Sequence, residues 1–313
     1  MIIKSVKRSK IVSNALYHVI ITAFSFAMIY PLLWMIGSSF KFNEEIFVNV
    51  RRILPTKWTI TNYTTGWAGF GGNSFALFFK NSFFVTILVT IGTVLSSSFI
   101  AFGFARIRFR GRSFWFVMMI ITMLLPGQVM IIPRYVMFNN MGWVGTFLPL
   151  IIPPFFGGAF NIFLIMQFIR GIPRDMDESA KIDGCSWYGI YWRILLPLVV
   201  PALVTVGVLA FIGSWEDFMG SLLYLNTPRK YTVAYALKLF NDTQKTDYGA
   251  TFAMSALSMV PVLILFFFFQ KQLVEGISMQ GIKGSTMWRG SLLPRHCHPL
   301  WEADTISCGN PFD

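Results

Sequence analysis

The sequence predicts an all-α membrane protein that crosses the bilayer six times. Of its 313 residues, 55% are hydrophobic and only 13% are charged, whereas a soluble domain carries about 25% charged residues. The mean hydropathy is +0.59. The chain also contains six apolar runs close to the roughly 20 residues that a spanning helix needs.

The six predicted spans are apolar runs bounded by polar or charged residues. They cover about residues 15–36, 83–105, 114–132, 147–168, 195–225 and 250–269. A basic head, residues 1–14, precedes the first span in the charge order of a signal peptide. We nevertheless expect a retained span, because the apolar run is too long and no small-residue cleavage site follows it. The six-span domain is expected to cover 15–284. The polar tail, 285–313, departs from this pattern, and we assign it no function.

The distribution of basic residues predicts the orientation. Arginines fill the turn between spans two and three (Arg106, Arg108, Arg110 and Arg112), and further basic residues border segment 170–197. The turn 139–146 contains no Lys or Arg. The positive-inside rule then places both termini and segment 170–197 in the cytoplasm, and segments 38–80 and 226–249 outside. The net charge of +12 follows from these flanking residues, so we expect no nucleic-acid partner.

Segment 170–197 contains a polar island, residues 177–184, between two apolar runs. Such a stretch cannot lie in hydrocarbon without large cost. Pro173 suits a first helical turn, Gly184 suits a helix stop and Ser186 suits the N-cap of a second helix. The sequence therefore predicts a helix, a sharp turn and a second helix, which together form a cytoplasmic contact for a soluble partner.

Polar residues inside two spans indicate a possible solute pathway. Trp215, Glu216 and Asp217 lie in the fifth predicted span, where carboxylates should face a cavity or water. They either mark the outer helix end or accept hydrogen bonds from a solute stacked on Trp215. Asn161 and Gln167, in the fourth span, either add amide contacts to that pathway or bond neighbouring helices.

Prolines and glycines interrupt the fourth span, and they predict either a kinked packing helix or a hinge. They are Pro149, Pro153, Pro154, Gly157 and Gly158.

Segment 38–80 is rich in aromatic residues and glycine, which fits either an interfacial belt with a flexible linker or a docking surface.

The sequence lacks the residue patterns of a zinc site and of a phosphate-binding loop. The histidines and cysteines near the C-terminus fit no common zinc spacing, so we predict no metal site. The pair Gly276 and Gly281 resembles the start of a phosphate-binding loop, but Ile282 stands where lysine is needed. The chain is therefore predicted not to be an enzyme and to hold no cofactor.

The polar island resembles the EAA motif of bacterial ABC importer permeases. Glu178, Ser179 and Ala180 are followed after three residues by Gly184, and after nine more by Ile194-x-Leu196-Pro197. Ser179 replaces the usual first alanine. Asn81-Ser82, the arginine-rich turn, the Trp-acid-acid-Phe segment and residues 276–284 are similar to the MalG-like carbohydrate-uptake branch.

This resemblance implies a type I ABC importer permease fold in the bacterial inner membrane. The implied partners are a homologous second permease subunit, a cytoplasmic ATPase dimer that uses ATP and Mg, an extracytoplasmic solute-binding protein, a carbohydrate and the membrane lipid. It implies an ATPase-coupling set of Asp177, Glu178, Ser179, Ala180, Asp183, Gly184, Ile194 and Pro197. It also implies binding-protein contacts at Tyr231, Tyr235, Lys238 and Asp242.

One alternative remains open at the level of sequence. A stand-alone secondary transporter or channel would need ion-coupling carboxylates, and Glu216 with Asp217 is the candidate pair.

Overall fold

The computed structural model describes residues 2–243 and 247–278, and the regular elements in these ranges are helices. Four segments are long and apolar enough to cross a membrane, and two further helix pairs reach that length as bent units. The six-span prediction therefore agrees with the structure if each bent pair counts as one span.

The continuous long helices are α1 (Ile2–Ser38), α4 (Phe75–Arg106) and α15 (Tyr248–Ser278). Short helices α2 (Asn43–Val48) and α3 (Thr61–Ala68) connect α1 to α4. Helix α4 begins eight residues before the predicted span, at Phe75 rather than at position 83.

The third span, predicted over 114–132, is bent in the structure. Helix α5 (Arg112–Leu124) ends before Pro126, and a 3-10 turn (Gly127–Met130) leads into α6 (Ile131–Asn140). The two halves meet at 96°. Proline forces the preceding residue out of the helical region, and Leu125 is accordingly extended at φ −75 and ψ 120.

The fourth span is broken where the prolines and glycines predicted irregularity. Helix α7 (Leu148–Ile151) and a 3-10 turn (Pro153–Phe156) precede α8 (Ala159–Gly171). Gly157, at φ +86, makes the break, because only glycine adopts this backbone without strain. The break is confirmed, and the hinge stays a prediction.

The fifth span follows helix α9 (Asp175–Ile182). It consists of α10 (Trp187–Gly189), a π-helical stretch (Ile190–Leu195), α11 (Leu196–Leu198) and α12 (Val200–Trp215). The chain bends by 76° between α11 and α12. The sequence predicted a polar interruption within this segment, and the structure has it at Glu216 and Asp217, where α12 ends and α13 (Phe218–Tyr224) begins.

The remaining helices form the segment before α15. A 3-10 turn (Pro228–Lys230) leads into α14 (Val233–Thr243).

Helix α4 connects two buried clusters. Phe102 and Ala105, near its C-terminal end, pack with Ile165 of α8 and with the residues around Tyr191. At its other end, Phe75 and Phe78 pack with side chains of α14 and α15. Between the clusters, Gly92 leaves room for the ring of Phe155, which lies 2.5 Å from where a Cβ would stand. Helix α4 thus links one end of the molecule to the other.

Candidate functional site

Helix α9 and the turn after it form the helix-turn-helix that the sequence predicted. The N–H of Cys185 donates to the carbonyl of Ala180 at 2.9 Å, and that of Gly184 to Lys181 at 3.0 Å. This pattern is a Schellman motif, in which Gly184 takes φ +78. The Ser186 hydroxyl then accepts the N–H of Gly189 at 3.3 Å and caps α10. Helix α9 begins at Asp175, two residues after Pro173.

One face of α9 is fastened to the membrane domain. Asp177 and Ala180 are buried there, and Oδ2 of Asp177 lies 2.9 Å from Nε of Arg106. Arg106 also donates through Nη2 to the carbonyl of Ile172 at 2.8 Å. Burial raises the pKa of Asp177, and the guanidinium of Arg106 opposes that shift. Both side chains of the ion pair are buried, so the pair holds α9 against the end of α4.

The opposite face of α9 is exposed. Glu178, Ser179 and Asp183 are exposed. Two apolar side chains are exposed with them, Met176 at 42% and Ile182 at 87%. Burial of an apolar side chain stabilises a fold, so an apolar side chain this exposed contributes little to the stability of the chain.

The predicted coupling residues therefore divide into two groups. Asp177 and Ala180 are buried against the membrane helices, where they hold α9 in place, and their part in coupling to the ATPase stays a prediction. Ile194 is half-buried and Pro197 is exposed, both near the end of the second helix. That helix is held to α4 by the hydroxyls of Tyr191 and Ser98, which lie 2.7 Å apart in a buried position.

A polar cavity of about 280 Å³ brings together two of the predicted pathway residues, Asn161 and Asp217. Hydroxyl groups also line it, from Thr93, Ser214, Ser221 and Thr232. Asp217 has a structural task as well, because its Oδ1 accepts the N–H of Gly220 at 2.8 Å and caps α13.

Trp215 and Glu216 line a different cavity, of about 420 Å³, whose walls are mainly apolar. The indole of Trp215 is only 4% exposed and donates to the carbonyl of Ser258 at 3.0 Å. It also stacks on Phe211. The Trp215 ring is thus largely covered by protein, and its role as a stacking surface for a solute stays a prediction. Gln167 is half-buried in α8 and lines neither of these two cavities.

Within segment 226–249, the described residues form a 3-10 turn and helix α14. Tyr231 and Tyr235 meet edge to face with their centroids 4.5 Å apart. Lys238, on the same helix α14, is exposed and lines the larger cavity. The side chain of Asp242 lies outside the described residues, as does the tail 285–313.

Several side chains of segment 38–74 form specific hydrogen bonds, and both alternatives for this segment stay predictions. Asn62 donates to the carbonyls of Ser39 and Lys41 at 2.8 and 2.7 Å. Trp34 donates to the carbonyl of Val50 at 2.7 Å. Trp58, at 65% exposure, remains open to solvent or lipid, and the docking alternative stays a prediction.

Comparison with known proteins identifies the family to which the chain belongs. Residues 94–279 match the family described as binding-protein-dependent transport system inner membrane component. The chain belongs to this permease family. It is 34% identical to the probable ABC transporter permease protein YurM of Bacillus subtilis, over 82% of this chain and 85% of that protein.

Two further likenesses extend the comparison. The chain is 33% identical to the galactooligosaccharides transport system permease protein GanQ of Bacillus subtilis, over 82% of this chain and 91% of that protein. A crystal structure of a bacterial ABC transporter involved in the import of alginate contains a chain of the same fold. The TM-score is 0.73 at 22% identity, and the match covers 84% of this chain and 97% of that one.

Family membership settles the class of activity. The chain is a multi-pass inner-membrane permease of an ABC importer, and it works with a second permease, an ATPase and a solute-binding protein. It is not an enzyme, because ATP hydrolysis belongs to the separate ATPase subunit. This favours the importer over the stand-alone transporter. Glu216 and Asp217 also line different cavities.

Asn81 and Ser82 have a structural role that the sequence did not predict. The Asn81 side chain donates to the carbonyls of Arg229 and Tyr231 at 2.8 and 3.1 Å. The Ser82 hydroxyl accepts the N–H of Val233 at 2.7 Å. The Asn81-Ser82 pair was noted only for its resemblance. Its polarity inside an apolar run was the signal that backbone elsewhere needed partners.

Proposed function

We propose that this permease moves an oligosaccharide into the cytoplasm by alternating access. The relatives support the solute class, because their names include arabinooligosaccharides and galactooligosaccharides transport permeases. A partner ATPase dimer supplies the energy from ATP and Mg, a homologous second permease completes the pathway, and an extracytoplasmic binding protein delivers the sugar.

Helix α9 is the coupling helix in this proposal, and the exposure of Ile182 is the observation that carries it. The helix is anchored through Asp177 on one face and presents Ile182, at 87% exposure, on the other. Apolar residues fixed on a rigid, exposed element are typical anchors of protein interfaces. Glu178 and Asp183 beside it supply a polar rim. A cleft on the ATPase therefore fits this face.

Both termini and α9 lie in the cytoplasm in this proposal. The arginines at the ends of α4 and α8, together with the basic head, support that orientation. The opposite side then carries α14 and the turn before it, where Tyr231, Tyr235, Lys238 and Asp242 would contact the binding protein.

The polar cavity is part of the sugar pathway in this proposal. Its threonine and serine hydroxyls, with the amide of Asn161 and the carboxylate of Asp217, offer the donors and acceptors that sugar hydroxyls require. The cavity lies beside the break in the fourth span at Pro154, where a change of access could open it.

Uptake by the complete importer tests the proposal. The permease, its partner subunits and the binding protein are reconstituted in vesicles, and ATP-driven uptake of arabino- and galacto-oligosaccharides is measured. Ile182→Glu should abolish uptake, whereas Ile60→Glu, at a position 70% exposed in the α2–α3 connection, should retain it. Uptake by Ile182→Glu at the wild-type rate would contradict the coupling role. Uptake of neither sugar class by the wild-type importer would contradict the solute class.

A further inference from the structure

An open pocket of about 400 Å³ lies where the α4–α5 turn meets α9. Its lining is dominated by basic side chains, Arg106, Arg108, Arg174 and Lys181. The acidic residues that line it are Asp177 and Glu178. The pocket thus carries an excess of positive charge.

Two of these cations are already engaged. Arg106 pairs with Asp177 at 2.9 Å. The ammonium of Lys181 lies 3.8 Å from the centre of the Trp187 ring. Arg108 and Arg174 are exposed, and neither lies within 4.0 Å of a carboxylate among the residues that the structure describes. They are the groups available to an anion.

Further arginines surround the pocket. Arg112 interacts electrostatically with Arg108, Arg170 and Arg174. Like charges at this density repel one another. The guanidinium of Arg170 lies 5.5 Å from the centre of the Phe116 ring, which fixes its position. An anion bound among these residues would relieve the repulsion.

The pocket lies at the ends of three apolar helices, which is where the headgroup region begins if these helices span the bilayer. Arg106 ends α4, Arg112 begins α5 and Arg170 lies in the last turn of α8. Aromatic side chains of the interfacial kind are exposed beside them, Phe109 at 41%, Phe114 at 57% and Trp115 at 58%. Aromatic residues of this exposure collect at the membrane–water boundary.

We propose that this pocket binds the phosphate of an anionic phospholipid from the adjoining leaflet. Basic pockets between spanning helices at the membrane surface recognise anionic headgroups, and arginine pairs with phosphate in a fork geometry. Arg108 and Arg174 hold the phosphate, while Phe114 and Trp115 lie against the acyl region. The proposal depends on the membrane placement of the helix ends and not on the sugar that is carried.

Lipid retention by the intact importer tests this site. The purified complex is stripped of lipid in detergent, titrated with phosphatidylglycerol or phosphatidylcholine, and the bound lipids are counted by native mass spectrometry. The variant carries Arg108→Gln with Arg174→Gln. The matched control carries Arg110→Gln with Arg193→Gln, which removes the same charge from two exposed arginines outside the pocket.

The wild type and the control should retain phosphatidylglycerol in preference to phosphatidylcholine. The pocket variant should bind the tightest phosphatidylglycerol about tenfold more weakly, since each basic residue near a charged surface contributes substantially to binding. Millimolar inorganic phosphate should not displace the lipid.

Three results would overturn the proposal. These are equal retention in variant and control, displacement by inorganic phosphate, and loss of the ATPase subunit from the variant while its lipid retention is unchanged. The last result would assign the arginines to an acidic surface of the ATPase. If the double variant does not reach the membrane, the single substitutions Arg108→Gln and Arg174→Gln are measured in the same way.

Discussion

The Nε atom of Arg106 lies 2.9 Å from Oδ2 of Asp177, and both side chains are buried. Arg106 is the last residue of α4 and Asp177 lies in the first turn of α9. The ion pair therefore joins the membrane helix at the centre of the fold to the helix that we propose as the ATPase contact. If α9 moves, the end of α4 must move with it; otherwise the ion pair is broken or exposed to water.

Asp177→Asn should destabilise the permease by about 3 kcal/mol, because it leaves the charge of Arg106 buried without a partner. The thermal unfolding temperature of the purified importer measures the loss. Asp175→Asn is the control, since Asp175 is exposed in the same turn. Replacing both charges, as Arg106→Met with Asp177→Leu, should recover much of the stability. An equal melting temperature for Asp177→Asn and wild type would show that the pair is not formed.

Gly184→Ala should cost about 1–2 kcal/mol, because the residue holds φ +78. No atom lies within 4 Å of the added methyl position, so the effect is conformational and not steric. Gly171→Ala, which also meets no neighbouring atom, should be neutral or stabilising at its helical position. Thermal unfolding of the two variants compares them. Equal changes for both would mean that the Schellman turn after α9 is not populated.

Asn81→Ala should loosen the chain between Arg229 and Val233. The substitution removes two hydrogen bonds to backbone carbonyls, each worth about 1 kcal/mol. Amide hydrogen exchange in this segment should accelerate roughly tenfold or more. Asn139→Ala, at an exposed position, should leave the segment unchanged. Unaltered exchange in Asn81→Ala would show that α14 is positioned by other contacts.

Asp217→Asn should separate the capping role of this residue from its proposed role in sugar transport. Asparagine caps helices as well as aspartate does, so stability should be retained. Loss of the charged acceptor should lower kcat/KM for uptake about tenfold, since hydrogen bonds to charged groups contribute about 1.5–3 kcal/mol. Glu216→Gln, which changes a residue of the other cavity, should not lower it. If the two variants transport equally well, Asp217 serves only as a cap.

The turn after α9 could be predicted from the sequence because its determinants are local. Gly184 and Ser186 act through hydrogen bonds to residues within five positions of themselves. Prolines mark the bends of the third and fifth spans, at Pro126 and next to Pro201, but the bend angles depend on which neighbouring helices satisfy the freed backbone groups.

The burial of Asp177 and Trp215 could not be predicted from sequence spacing. Asp177 meets Arg106 across 71 positions of the chain, and Trp215 meets Ser258 across 43. A carboxylate in a polar island and an indole beside two acids both resemble exposed binding groups until the packed helices show their partners. The division of the coupling residues into anchoring and exposed sets follows from the same tertiary contacts.

Cross-linking from position 182 tests the coupling role of α9 in the assembled importer. A photoreactive phenylalanine analogue replaces Ile182 in one variant and Ile60 in another, both exposed apolar positions. Irradiation should join the permease to the ATPase subunit only from position 182, and ATP with Mg should change the yield. An intact complex that gives no ATPase adduct from position 182 would contradict the assignment of α9 as the coupling helix.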